Sequence, residues 1–397
     1  MTDLEVEVGS EPSGQLRRRS QYEFEYLASA KRPASLLMPL EDSLFRDGEL
    51  FAVMDMNLPE GFLLAQLRER SPKLPPTKMQ LLALMGSNGI GRLGYRESQR
   101  PTPEKVRAVS RKRLLKEGSG RGGKIFLDLV EAYLSSGSGL SGVQPKVLVP
   151  DRTTIPVPNV LVKAGGAEYP GLAANEFLCL EVARRAQLPV PRHELSDDGT
   201  LLLVDRFDLD GKTRLGFEDF AALMDLRVGG ALSDRKYRGS YQAATTLLGH
   251  LASNPGQALS AFFDQLALSV LVRNGDAHLK NFGVLYDDRS TWLAPLFDVV
   301  TTTIYPYERS GVQVTDRTMA LRLLVQGERR YPLPDELVSF AREHCQVPEP
   351  EQRVAALAGA MRETLKEARK DDRVPRAMLK GLTAEWDDSL RQFARLS

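Results

Sequence analysis

Cysteine is scarce in this chain of 397 residues: only Cys179 and Cys345 occur, far apart and without CxxC or Cys/His spacing. That pattern predicts neither a disulfide framework nor a zinc site. Cys179, set in an apolar helical pattern, reads as a small core residue. Long apolar runs are missing as well, and none approaches the ~20 residues that cross a bilayer. The opening residues carry Asp3, Glu5 and Glu7 ahead of Gly9, without the basic start and apolar stretch of a signal peptide. A cytoplasmic protein with no membrane attachment is the expectation. Net charge is close to absent, at +1, which argues against a strongly basic nucleic-acid binder. What is present, 42% hydrophobic and 26% charged residues, is the composition of a globular protein. The length allows two or three structural units and a large core.

Charge is unevenly spread all the same. Arg96 to Lys124 holds ten Lys/Arg against three Glu, the pattern of a solvated linker or helix face, or else of a basic surface near DNA phosphates when the protein sits in a complex. Residues 1–20 are polar and end in Arg17-Arg18-Arg19, which predicts a disordered tail. Tyr22–Leu27 alternates like a strand, and helical stretches around Gly61–Arg70 and Lys78–Leu84 precede a glycine-dense turn at Gly89–Tyr95. This predicts a small α+β subdomain over 21–110. A second unit over 111–215 reads as a helix at Phe126–Leu134, strands at Val147–Val149, Val160–Lys163 and Leu201–Val204, and a helix from Leu172 to Leu188. Residues 216–397 read as mainly helical: Leu259, Phe262, Phe263, Leu266, Ala267, Val270 and Leu271 recur at i, i+3, i+4, i+7. Strands first and helices later give an α+β, two-lobed expectation.

The core helix delivers the chain to Asn274-Gly-Asp276-Ala-His278-Leu-Lys280-Asn281, and a short hairpin follows, ending at Leu296-Phe-Asp298. An aspartate, an asparagine five residues on and a second aspartate beyond a hairpin is the spacing that protein kinases use for phosphoryl transfer. Asp276 would orient the attacking hydroxyl and accept its proton. Asn281 and Asp298 would hold Mg²⁺ on the phosphates of ATP, since that ion takes one or two protein oxygens and the rest from phosphate and water. Lys280 would steady the transferring phosphoryl group, and His278 would pack and hydrogen-bond within the loop rather than carry a proton. A polar surface loop followed by a stray aspartate is the bland alternative.

Three further devices would complete such a site. Ser135–Gly142 is a small-residue loop that lets backbone N–H groups approach phosphates, although a linker would look the same. Lys163 ends a following strand; a lone strand-end lysine is usually solvated, so it counts only by context. Glu176 on the next helix would pair with Lys163 or with the metal, or simply face solvent. Leu201–Phe207 suits an adenine platform with Phe207 stacking and Asp208 on the ribose; a buried strand leading into a solvated Asp-Arg is the simpler account.

Taken in order, these segments resemble the HipA family of serine/threonine kinase toxins of type II toxin–antitoxin modules. Ser141-Gly142-Val143-Gln-Pro-Lys146 resembles its S-G-x-Q-x-K loop, Val162-Lys163 its ATP lysine, and Asn175-Glu176 its N-E helix. Val204-Asp205-Arg206-Phe207-Asp208 resembles its V-E-R-F-D connector, with Asp205 where glutamate is common, and Arg235-Lys236-Tyr237 its K-Y pair. Asp276 to Asn281 matches its D-x-H-x-K-N loop, and Pro295-Leu-Phe-Asp298 its metal aspartate. Pro33-Ala-Ser-Leu36 and Leu58-Pro-Glu-Gly61 are similar to its leading subdomain. The resemblance implies a divergent kinase fold with an added N-terminal subdomain. It also implies nucleotide contacts from Ser141, Gly142, Val143, Lys163, Asp205, Phe207, Asp208 and His278, and autophosphorylation at Ser141, which would put nearly two negative charges where ATP phosphates sit. Members phosphorylate a protein hydroxyl, in some cases on an aminoacyl-tRNA synthetase, and partner a HipB-like helix-turn-helix antitoxin through which they meet DNA. A catalytically idle co-repressor scaffold and a small-molecule kinase are the competing expectations, because fold alone does not name the acceptor.

Overall fold

Alternation writes the first sheet. In Leu4–Val8 the side chains of Leu4, Val6 and Val8 are buried while Glu5 and Glu7 point the other way, the period of a strand with one face on a core. The computed structural model describes residues 3–70, 76–97, 108–120, 123–136, 146–151, 158–166, 168–211 and 213–396. They divide into two units. One takes the chain up to Ala164 with Leu203–Lys236 and Leu285–Arg289; the other takes Gly165–Leu202, Tyr237–Val284 and the chain from Ser290 onward.

The first unit begins with a five-stranded antiparallel sheet. Leu4–Val8 lies between Glu11–Arg18 and Leu93–Glu97, and Tyr22–Tyr26 and Leu44–Asp47 extend the sheet beyond Glu11–Arg18. The disordered tail expected over residues 1–20 is corrected here, because Leu4–Val8 and Glu11–Arg18 are both strands. Gly9 and Ser10 take left-handed φ of 63° and 74° to join them. The polar residues that suggested disorder form the solvated face, where Arg17 pairs with Glu25 and Arg19 with Asp3. Gly14 is obligatory in this sheet, since a Cβ there would lie 2.5 Å from the Phe24 ring. The opposite face buries Val6, Leu16, Phe24, Leu93 and Tyr95 against Val53, Met54, Leu81, Leu82 and Met85. Those residues come from the short helix Ala52–Asp55 and from Lys78–Met85, which starts with a Thr77/Gln80 capping box.

The same unit holds the antiparallel pair Lys146–Val149 and Val160–Ala164 and the connector that follows Leu201–Asp205. Two buried arginines tie the connector to the leading subdomain. Arg206 donates to the carbonyls of Asn88 and Gly89, and Arg214 to those of Gly89, Gly91 and Leu93. Burial, with Arg206 alongside, lowers the Arg214 guanidinium to about 10. Glu218 is fully buried and accepts from the Ser35 hydroxyl, the Leu36 amide and the Tyr286 phenol. Its desolvation is answered by three donors, as buried carboxylates require.

The second unit is helical. Pro255–Leu271 packs against Tyr241–Leu251, Pro334–Cys345 and Pro350–Ala368, and Leu172–Arg185 packs against Pro350–Ala368 and Arg376–Gln392. Pro255 at the first turn and an Asn254 cap start the central helix. All seven residues of its predicted stripe are buried, and each of its leucine, valine and phenylalanine side chains contributes about 1.5–3 kcal/mol by leaving water. Cys179 and Cys345 are buried thiols in this unit, and burial pushes both up to about 12. No helix among the described residues is long and apolar enough to cross a membrane.

Candidate active site

The central helix ends in a way that fixes the loop after it. Arg273 adopts a left-handed φ of 58°, and the Asn274 amide returns to the Ser269 carbonyl at 2.8 Å, a helix stop usually given to glycine. Gly275 then passes so close to Thr318 that a Cβ would lie 2.7 Å from its carbonyl oxygen, so no other residue fits without a shift. Asn274 Oδ1 accepts from the Asp276 amide at 3.1 Å, an Asx turn. The His278 amide donates to the Asp276 carbonyl and the Asn281 amide to the His278 carbonyl, closing one 3₁₀ turn over Leu279–Asn281. Beneath it the Tyr241 phenol donates to the Ala277 carbonyl at 2.8 Å. Burial raises that phenol's pKa and keeps it a donor.

Asn281 is the junction. Its Nδ2 donates to the Asp276 carbonyl at 3.0 Å and to the Asp298 carbonyl at 3.2 Å. Three residues expected from sequence to act together are therefore joined at one side chain. With both amide protons given to carbonyls, the Asn281 Oδ1 is the atom left to act as acceptor. Asp298 stands at a left-handed φ of 54°, a conformation that is uncommon outside glycine and enriched at working sites. The segment behind it is clamped: Asn175 accepts from the Thr301 amide and donates to the Thr301 carbonyl, both at 2.9 Å. Trp386 Nε1 donates to the Thr301 hydroxyl at 2.8 Å.

Asp276 has a side chain 49% exposed, open to an incoming group. Its Oδ1 accepts from the Tyr237 phenol at 2.7 Å and lies 3.9 Å from His278 Nε2. His278 is buried and stacks edge-on to Tyr237 with ring centroids 5.2 Å apart, the packing role expected for it. Lys280 is also buried. An asparagine oxygen and an aspartate, both hard donors, suit Mg²⁺ carried in on phosphate oxygens better than any softer ion.

Glu176 is buried in the second unit, and the other remaining predicted residues belong to the first. Ser141, Gly142 and Val143 lie outside the described residues. Lys163 is only 2% exposed and sits directly across the strand pair from buried Lys146. Burial replaces the solvated strand end that sequence alone would favour. Asp205, expected beside adenine, has its carboxylate engaged by Arg111, which also reaches Asp151 at 3.6 Å. Phe207 is half-buried and packs edge-on to Phe217 at 5.4 Å. Asp208 corrects an expectation: rather than facing a ribose it is fully buried, taking Arg206 Nε on Oδ1, and Arg206 Nη2 and the Gly91 amide on Oδ2. A carboxylate sealed this way is a structural ion pair.

Sequence reasoning gave no role to Tyr237, Asn175 or Trp386. Tyr237 and Asn175 stand in recognisable motifs, but only coordinates show the long-range partners that define their work. Trp386, in a C-terminal helix, carried no signal of this role.

The protein-family model for a HipA-like C-terminal domain matches residues 138–369, and that for the HipA N-terminal domain matches residues 4–96. The candidate kinase Y4dM of Sinorhizobium fredii is 33% identical over 161 residues, covering 36% of this chain and 38% of that protein. A candidate kinase of Haemophilus influenzae is 28% identical over 194 residues, covering 45% and 56%. The chain thus spans about half or less of the length of the curated relatives it matches. A solved structure of the Shewanella oneidensis toxin–antitoxin HipA, with HipB and its operator DNA, superposes with a TM-score of 0.72 at 17% identity, covering 99% of this chain and 97% of that one. That likeness establishes the α+β fold. With a family model spanning more than half its length, the chain belongs to the HipA family.

Proposed function

We propose that this protein is an ATP- and magnesium-dependent protein kinase that transfers the γ-phosphoryl group to a serine or threonine hydroxyl. The observation that carries this reading is the Asn281 amide, which holds the backbones of Asp276 and Asp298 together. In-line phosphoryl transfer asks a protein mainly to position reactants and neutralise charge. Asp276, open on one side, orients the acceptor hydroxyl and takes its proton. Asn281 Oδ1 and the Asp298 carboxylate would hold the metal, which would supply positive charge against that developing on the phosphates. Lys280 brings positive charge toward those phosphates. Residues 111–215 are the nucleotide lobe and 216–397 the helical lobe of this reading.

Membership of the family and the Shewanella complex support a toxin role in the cytoplasm, with a helix-turn-helix antitoxin as partner and DNA met only through it. The acceptor is a protein of the translation machinery such as an aminoacyl-tRNA synthetase, and Ser141 is a site of self-modification. The test is incubation of the protein with γ-labelled ATP, Mg²⁺ and soluble bacterial proteins. Label on protein that disappears with Asp276→Asn supports the proposal. Absence of label points to an idle co-repressor scaffold, and label on metabolites alone to a small-molecule kinase.

A further inference from the structure

We infer that Thr302 is a positioning residue for this chemistry, setting the loop that carries Asp276 at a fixed place against the stretch that carries Asp298; the inference rests on the kinase reading above. The Gly275 amide donates to the Thr302 hydroxyl at 2.8 Å, and that hydroxyl donates to the Arg273 carbonyl at 3.1 Å. One side chain thus spans the peptides on either side of Asn274, taking a proton from one and giving its own to the other, as a hydroxyl can. The Thr302 amide donates to the same Arg273 carbonyl, also at 3.1 Å.

A second observation agrees. A Cβ at Gly275 would lie 2.8 Å from the Thr302 hydroxyl oxygen, so glycine is what lets the loop come this near. The Tyr331 phenol lies beside the same hydroxyl. The two sides of the link depend on it unequally. On the Asp298 side the chain has other anchors: Asn175 holds the Thr301 amide and carbonyl, Trp386 holds the Thr301 hydroxyl, and the Thr302 amide keeps its own bond to Arg273. On the other side, the Gly275 amide uses the Thr302 hydroxyl as its acceptor, and Asp276 is the next residue. The Asn281 amide ties the far end of this loop, and Thr302 ties its start. Removing the hydroxyl therefore loosens the start of the loop and leaves the metal side in place.

The test compares wild type with Thr302→Val, which keeps the branched shape and removes the hydroxyl, and with Thr302→Ser, which keeps the hydroxyl. Initial rates of label transfer from γ-labelled ATP to soluble bacterial proteins give the maximal rate and the KM for ATP. Thr302→Val should lower the maximal rate by up to about 100-fold, the loss that misplacement of a reacting group brings. Its KM for ATP should stay that of wild type, and Thr302→Ser should match wild type in both. In single-turnover reactions of Asp276→Asn, adding Thr302→Val should cost nothing further, because the hydroxyl acts through the placement of that carboxylate. A merely structural role would lower the rate on both backgrounds alike. Thr302→Ala repeats the measurement should the valine variant not fold. A wild-type rate in Thr302→Val, a raised KM for ATP, a serine variant as slow as the valine one, or a loss that persists in full on top of Asp276→Asn overturns the assignment of Thr302 alone. A wild-type protein that transfers no label overturns the kinase reading itself, and that outcome is read before any variant is made.

Discussion

At the scale of single residues, the site depends on oxygen atoms whose orientation is decided by hydrogen bonds to other groups. The Asp276 carboxylate accepts from the Tyr237 phenol, and Asn281 presents its carbonyl oxygen because its nitrogen serves two backbone carbonyls. Asp276→Asn keeps the shape and removes the proposed base. Its expected effect is a loss of about 10²–10⁴-fold in transfer with Mg·ATP affinity retained, measured by label transfer beside calorimetry. Asp298→Ala should instead weaken Mg·ATP binding by at least about tenfold, as loss of metal-site groups commonly does. Titration calorimetry in the presence and absence of Mg²⁺ reads this, and equal affinities for variant and wild type would remove Asp298 from the metal site.

At the scale of elements, the stretch beyond Asp298 holds its place through side chains from distant helices. Asn175 supplies both hydrogen bonds of the Thr301 peptide, so Asn175→Ala leaves a buried amide and a buried carbonyl without partners. A loss of about 3 kcal/mol follows from the cost of such orphaned groups, visible as a lower denaturation midpoint in urea. Much of this level was readable in the sequence. The helix Pro255–Leu271 shows its period plainly, and the loop after it carries glycine, asparagine and aspartate where the backbone turns. The strands Leu4–Val8 and Glu11–Arg18 were hidden because their solvated faces are rich in charge, and polar composition over a short window looks like disorder. Asp208 misled for a different reason. An Arg-x-Asp connector reads alike whether the pair faces a ligand or closes on itself, and the Gly91 amide that decides the matter lies 117 residues away.

At the scale of the molecule, each unit carries its own buried polar ties. In the first, Arg206, Asp208 and Arg214 join the connector to the leading subdomain, so removing one member strands the others. Asp208→Ala should cost about 3–5 kcal/mol and lower the melting temperature sharply without touching the catalytic loop. In the second unit, burial alone would raise Glu181, but hydrogen bonds from His193 and Arg184 overcome it and pull the carboxyl from its usual 4.5 to about 2. Because the folded value is depressed, this contribution of about 3 kcal/mol is complete above pH 4.5 and fades as pH falls toward 2. Thermal melts across that window should show a shallower acid loss in Glu181→Gln than in wild type. None of these ties was legible beforehand, since long-range ion pairs have no local pattern, whereas the ordered motifs of the family were.

The central claim is that Asp276, Asn281 and Asp298 act together on one nucleotide, and label transfer from γ-labelled ATP tests it most directly. Wild-type protein with Mg²⁺ should label protein at serine or threonine, with Asp276→Asn reduced at least about 100-fold and chelation of the metal abolishing the signal. Transfer that proceeds equally in Asp276→Asn, or that ignores removal of Mg²⁺, would contradict the account.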